Sequence, residues 1–382
     1  MEVYLDNAAT TPIAKEVIKE IEPYLHTYFG NPSSTHSFGR KTKNAIEINR
    51  RKIANFINAD TNEIVFTSGG TEADNMAMRC AVLDLGVKRI ITSKIEHHAV
   101  GHTAECLKKS HHTEIIYLTT DEFGNPSIDE LKEYLKKDVK TLVSLMHANN
   151  EIGTLLPIEE VSSICHEHQH VYFHSDTVQT MGHYKFDVKK LKIDFLVCSA
   201  HKFHGPKGIG FAYFKKGVGI KPLLYGGGQE KGARAGTEAV HLIRGMQVAL
   251  EISLKDLTTV IQEMQARKSF FIQELKALSP SIAFNGSSED LQASTATILN
   301  VRLPLDSPFL LFQLDLKGIA VSGGSACQSG SNGGSHVLRE LLTADEAQQT
   351  SLRFSFSKHT TKEELLYVVD VLKELICKEV KN

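Results

Sequence analysis

Two segments hold residue types that could do covalent chemistry. The first is Ser199-Ala200-His201-Lys202-Phe203-His204-Gly205-Pro206-Lys207-Gly208, which follows the apolar run Phe195-Leu196-Val197-Cys198. Such a run reads as a buried strand, so Lys202 sits just past its C-terminal end. In open α/β sheets that edge is where ligands bind. A lysine desolvated there loses basicity and can form a Schiff base with a carbonyl. A lone loop lysine is more often plain surface, so the neighbouring segments carry weight. The second segment is Ser322–Ser335 (SGGSACQSGSNGGS), which surrounds Cys327 with five glycines and five serines in fourteen residues. That composition cannot pack as core and predicts a mobile loop. A cysteine usually behaves as a small buried hydrophobe. In a polar, glycine-rich loop it is better explained by reactivity.

Other residues could serve an aromatic, phosphorylated cofactor. Val171–Asp176 reads as a strand ending in an acid. Asp176 could keep a ring nitrogen protonated and so strengthen the ring as an electron sink; its alternative role is a turn or helix cap. Ser68-Gly69-Gly70-Thr71-Glu72 joins a strand to a helix. Its glycines would let backbone amides approach a phosphate, and Thr71 could cap the helix or donate to the phosphate. His97 or His98 could lie flat on a ring; the alternative is an exposed pair. Gly205–Gly210 (GPKGIG) lacks the helix that a nucleotide loop needs. His166-Glu167-His168-Gln169-His170 alternates at a helix end, so its histidines would not share a face, and it is taken as surface.

The six cysteines form no CxxC pair, so neither a zinc ribbon nor a redox dithiol is expected, and no metal site is assigned. Cys198 lies in an apolar strand and reads as structural. Cys80, Cys106, Cys165 and Cys377 fall on helical patterns.

These residues need a scaffold. Apolar positions at helical spacing run through Ala14–Leu25, Ala45–Ile57, Thr71–Leu85, Ile128–Lys136 and Ile158–His168. Between them lie strand candidates at 63–67, 89–92, 114–118, 141–146, 171–174, 194–198 and 209–214. Strands alternating with helices predict a mostly parallel sheet covered on both faces. After about Leu254 the rhythm changes: a long helix at 254–278, strands at 295–301, 319–322 and 353–356, and a terminal helix at 362–379. This reads as a large domain over 15–254. A smaller α+β domain would comprise 1–14 and 255–382 and carry the cysteine loop at 322–335. A chain of 382 residues with 41% hydrophobic and 23% charged residues suits a soluble protein of two domains. A net charge of −2 gives no pull toward nucleic acid or anionic membrane. The start MEVYLDNAATTP has no basic or apolar leader, so a cytoplasmic location is expected.

Taken in order, the motifs resemble the class V aminotransferase-like group of fold-type I pyridoxal-phosphate enzymes, and within it the cysteine desulfurases that feed iron–sulfur cluster assembly. The resemblance begins with Leu5-Asp6-Asn7-Ala8-Ala9-Thr10-Thr11-Pro12, Gly30-Asn31-Pro32-Ser33-Ser34 and Thr67–Asn75. It continues through Glu96-His97, Asn149–Gly153, Ser199–Gly210 and Gly226–Thr237. It closes with Gly324-Ser325-Ala326-Cys327 and Arg353-Phe354-Ser355. It covers essentially the whole chain. It implies an α/β fold-type I architecture with a seven-stranded sheet, pyridoxal 5′-phosphate as cofactor, L-cysteine as substrate, and a homodimer.

The resemblance also implies roles. Lys202 would hold the cofactor and move the α-proton. His97 would stack on its ring and help with protons, and Asp176 would pair with the ring nitrogen. Gln179 and Asn150 would contact the O3′ side. Gly70, Thr71, Ser199 and His201 would meet the phosphate, with Thr237 arriving from the other subunit. Arg353 would bind the substrate carboxylate, assisted by Asn31, while Asn150 also touches substrate. Cys327 would take the sulfur as a persulfide, leaving alanine, and hand it to an acceptor or scaffold protein. Departures are Phe356-Ser357-Lys358 where the family often has Leu-Gly-Arg, extra glycine after Cys327, and a tail shorter than in many relatives. The acceptor therefore stays open. Alternatives on the same fold are a selenocysteine lyase, a cysteine-sulfinate lyase or a true aminotransferase.

Overall fold

The computed structural model describes residues 1–323 and 334–379, so Cys327 lies outside the described residues. The strands in chain order are β1 (Val3–Tyr4), β2 (Ile64–Thr67), β3 (Arg89–Ser93), β4 (Glu114–Leu118), β5 (Thr141–Ser144) and β6 (Val171–Asp176). They continue with β7 (Phe195–Ser199), β8 (Gly210–Phe214), β9 (Ala283–Phe284), β10 (Ile298–Arg302), β11 (Ile319–Ala320) and β12 (Ser351–Ser355). Seven of them make one sheet in the order β2-β8-β7-β6-β5-β3-β4. All its neighbours run parallel except β8, which is antiparallel to both β2 and β7.

Side-chain alternation explains why these strands read as unbroken apolar runs. Leu196 and Cys198 join the core on one face of the sheet, with Phe66 and Phe203. Phe195 and Val197 join the core on the other, with Val65 and Met76. A strand buried on both faces has no polar side to show. A separate core gathers Val3 and Leu5 with residues from Met264 to Leu375, around the sheet β12-β10-β9. Among the described residues no helix is long and apolar enough to cross a membrane.

Several boundaries differ from expectation. The helix expected at 45–57 starts at Ser37, capped by His36, whose Nδ1 accepts from the Gly39 amide. Its first two turns are polar and gave no periodic signal. The helix expected at 71–85 runs over Gly70–Arg79 and relaxes into a wider turn at Cys80–Asp84. The helix Val240–Leu254 was not singled out: its polar stripe, Arg244, Gln247 and Glu251, is narrow and is itself packed, Arg244 pairing with Glu20 and Asn49 and Gln247 being buried.

Burial keeps several histidines neutral. His147, His201 and His204 are pushed down to about 4, and His174 to about 3, from an ordinary 6.5. The unfolded chain binds protons at these positions that the folded chain refuses. Their stabilisation is therefore present above pH 6.5 and lost as pH falls toward 4. Asp74, Glu96 and Asp176, all raised by burial, act in the opposite sense, but the histidines outnumber them. The denaturant midpoint of the apoprotein is expected to be lower at about pH 5 than at about pH 7. Equal midpoints would contradict this balance.

Candidate active site

The C-terminal ends of β6 and β7 face the N-terminus of the helix Gly70–Arg79 across a cavity of about 230 Å³. Its wall brings together ten of the expected residues: Gly70, Thr71, His97, Asn150, Asp176, Gln179, Ser199, His201, Lys202 and Arg353. Asn31 and Thr237 are exposed and do not line it. Asn31 instead caps its own turn, its Oδ1 accepting from the Ser33 amide at 2.9 Å.

Lys202 follows β7 directly, where the chain leaves the sheet in a short 3-10 turn. Its Nζ donates to the carbonyls of Ala8 and Ala9, at 2.5 and 2.9 Å. The segment Leu5–Pro12 thus forms one wall of the cavity. Gln179 also leans on it, its Nε2 donating to the Ala8 carbonyl at 3.0 Å. Opposite, Asp176 ends β6 and accepts from the Val178 amide at 2.8 Å. Burial pushes its carboxyl up, while His97, that amide and Lys202 pull it down. His97 caps the helix His98–His111, its Nδ1 accepting from the Ala99 amide at 3.1 Å. That bond leaves Nε2 for the cavity. Burial holds His97 below its ordinary range against the pull of Asp176.

The turn after β2 is built for close approach. A Cβ on Gly70 would come within 2.8 Å of the Val178 side chain, and one on Gly210 within 2.9 Å of the Gly69 Cα. Glycine at both positions lets strand, turn and helix converge. One expectation needs correcting: Thr71 does not cap this helix. Gly69 holds the cap position and Thr71 is the helix's second residue, since the chain enters in a conformation only glycine adopts readily.

Arg353 rises from β12 and is almost fully buried. Its Nη1 donates to the Asn150 carbonyl at 2.8 Å and its Nη2 to Asp6 Oδ1 at 2.9 Å. Among the described residues, Arg353 Nε and Asn150 Oδ1 are buried without hydrogen-bond partners. Orphaned polar atoms in a cavity wall point to a ligand that completes them. Sequence reasoning missed Asp6, which holds the arginine, and Asp74, a buried carboxyl in the same wall. The available signal for Asp74 was an acid on the apolar face of its helix, between Ala73 and Met76.

The donor set suits pyridoxal 5′-phosphate. There is a lysine at a strand end, an acid and an imidazole across from it, and amides with hydroxyls at a helix N-terminus for the phosphate. Of the other cysteines, Cys80, Cys165 and Cys198 are buried, and burial pushes each thiol up, Cys80 to about 12. They are poor nucleophiles. Cys106 is exposed on the helix His98–His111.

The family model "Aminotransferase class-V" matches residues 3–368. The chain belongs to the class-V aminotransferase family. It is 46% identical to "Cysteine desulfurase IscS" of Dictyoglomus turgidum, over 98% of this chain and 94% of that protein. A solved NifS-like protein superposes with a TM-score of 0.91 at 34% identity, covering 99% of this chain and 100% of that one. The solved "SspA in complex with cysteine" reaches a TM-score of 0.81 at 33% identity, over 94% of this chain and 100% of that one. The α/β fold-type I architecture and the desulfurase resemblance expected from the motifs are borne out by these likenesses.

Proposed function

We infer that the chain is a pyridoxal-phosphate-dependent cysteine desulfurase that takes sulfur from L-cysteine onto Cys327 and releases L-alanine. The observation that carries the reading is the meeting of Lys202, Asp176, His97 and Arg353 in one cavity. When bound, the cofactor supplies a carbonyl that condenses with amines and a ring that takes up electrons from a breaking Cα–H bond.

Each residue then has a task. Lys202 would hold the cofactor at rest and move the substrate's α-proton afterwards. Asp176 would keep the ring nitrogen protonated, with neutral His97 serving the ring from the same wall. Gly70, Thr71, Ser199 and His201 would hold the phosphate, and Gln179 with Asn150 would serve the ring oxygen. Arg353 binds the amino-acid carboxylate in a planar fork. The Cys327 thiolate forms a bond to the substrate sulfur. The Cβ–S bond breaks with its electron pair left on carbon, which is protonated to give alanine. Sulfur stays on Cys327 as a persulfide for an acceptor protein.

Both ends of the segment around Cys327 are tied to the cavity wall, which supports its role. Ser322 pairs with the Arg353 backbone and donates to Asp6. Ser335 donates to Glu151, next to Asn150.

The reading includes a homodimer in which Thr237 reaches the partner's phosphate site, a cytoplasmic location, and domains at 15–254 and at 1–14 with 255–382. Exposed Leu224 and Tyr225, on the stretch leading to Thr237, favour a covered surface there.

Incubation with pyridoxal 5′-phosphate and L-cysteine is expected to yield alanine and, with a thiol reductant, sulfide. No alanine would leave another amino acid as the substrate. Arg353→Ala is expected to raise KM for cysteine by about tenfold or more, the loss of a charge-assisted pair. An unchanged KM would remove Arg353 from the carboxylate role.

A further inference from the structure

The helix Gly70–Arg79 carries a carboxyl that the mechanism above leaves unused. Asp74 is 1% exposed and lines the cavity. One oxygen of Asp74, one of Asp176 and one ring nitrogen of His97 lie within 4.8 Å of one another. From β6, His174 brings Nε2 to 3.4 Å from Asp74 Oδ1. The other nitrogen of His174 meets the Ser144 hydroxyl on β5 at 2.8 Å. The titratable groups around this cluster are Asp176 and His174 on β6, Cys198 on β7, Lys202 beyond it, and Glu96 and His97 ahead of the helix His98–His111.

Two anions cannot share so small a buried space, so the pair Asp74 and Asp176 retains one proton. Burial, Asp176 and Glu96 push Asp74 well above the ordinary carboxylate range, whereas His97 and Lys202 favour charge on Asp176. His174, held neutral, has one N–H to give. With the ring neutral, the Ser144 hydroxyl donates to His174 Nδ1 and the ring hydrogen sits on Nε2. His174 Nε2 and Asp74 Oδ1 lie 3.4 Å apart without forming a hydrogen bond, and among the described residues neither has another partner. Asp74, still protonated, has one hydrogen left to donate.

We propose that Asp74 is a neutral acid and a positioning residue, donating a hydrogen bond to the Asp176 carboxylate and holding that anion against the cofactor's ring nitrogen. A donor to the charged form offsets the burial that otherwise raises Asp176. The proposal rests on the cavity being a pyridoxal-phosphate site.

The test uses apoprotein and pyridoxal 5′-phosphate, with equilibrium dialysis for the dissociation constant and absorbance for the pH midpoint of the bound cofactor's visible band. Asp74→Asn keeps a donor and cannot ionise; Asp74→Leu keeps the volume and donates nothing. Asp74→Asn is expected to bind within about threefold of wild type, and Asp74→Leu about tenfold or more weaker, the worth of one bond to a charged group. The midpoint should stay put in Asp74→Asn and move in Asp74→Leu. Asp74→Asn as impaired as Asp74→Leu would show that a charge is needed there and overturn the proposal, as would Asp74→Leu matching wild type. Should Asp74→Leu fail to fold, Asp74→Asn decides alone: tenfold weaker binding overturns, and unchanged binding and midpoint support. Wild-type protein that binds no pyridoxal phosphate would fail the underlying reading instead, and the proposal with it.

Discussion

Lys202→Ala is expected to abolish alanine formation and the visible absorbance of the protein mixed with pyridoxal 5′-phosphate. The proposed reading gives the lysine two tasks, as the amine that holds the cofactor carbonyl and as the base at the substrate α-carbon. Loss of a positioned base alone costs about 10²–10⁴-fold, and loss of the covalent tether adds to it. The geometry supports both tasks. Nζ is held at the carbonyls of Ala8 and Ala9, inside the same wall as Asp176 and His97. The alanine side chain leaves those carbonyls facing a cavity that water can enter, so the fold should survive. Circular dichroism and thermal melting would check this. A variant with an unchanged absorbance band, or with alanine production within tenfold of wild type, would take Lys202 out of its role.

Cys327→Ala should separate the two halves of the reaction. Cofactor and cysteine binding rest on residues of the cavity wall, so both spectra should match wild type. Persulfide should be absent, and alanine formation should fall by about a hundredfold or more, because among the described residues no thiol lines the cavity to replace an activated nucleophile. Cys80, Cys165 and Cys198 are buried with raised thiols, and a buried thiol can neither approach the substrate nor ionise readily. Single-turnover assays with mass spectrometry of the protein would read both losses. Equal alanine from wild type and Cys327→Ala would make the thiol dispensable and favour a lyase of the selenocysteine type.

Much of the architecture was legible because its signals are local. Strands buried on both faces show as apolar runs, and the helices 128–135, 158–166 and 362–379 show as periodic stripes within two residues of their observed ends. An element with a narrow stripe escaped, Val240–Leu254, because its polar residues Arg244 and Gln247 are packed against neighbouring helices instead of facing solvent. The site was legible where a residue type is odd for its surroundings: a lysine after an apolar strand, an acid at a strand end, a cysteine among glycines. Asp6 escaped because it does not look odd in its own segment, and Asp74 because a single acid on an apolar helix face is a weak signal until the fold shows it buried.

The amino-acid sequence by itself determined the class of fold, the order of the strands along the chain, and the chemistry available to Lys202, Asp176, His97, Arg353 and Cys327. Only the tertiary structure decided which of these meet. Arg353 stands 347 residues from Asp6, yet the two pair at 2.9 Å because Ser355 of β12 bridges Asp6. Asp74 and Asp176 share one buried space because helix and strand converge on glycine. Residue type sets what a group can do; burial and neighbouring charges, assembled from distant segments, set which protonation state and partner it takes.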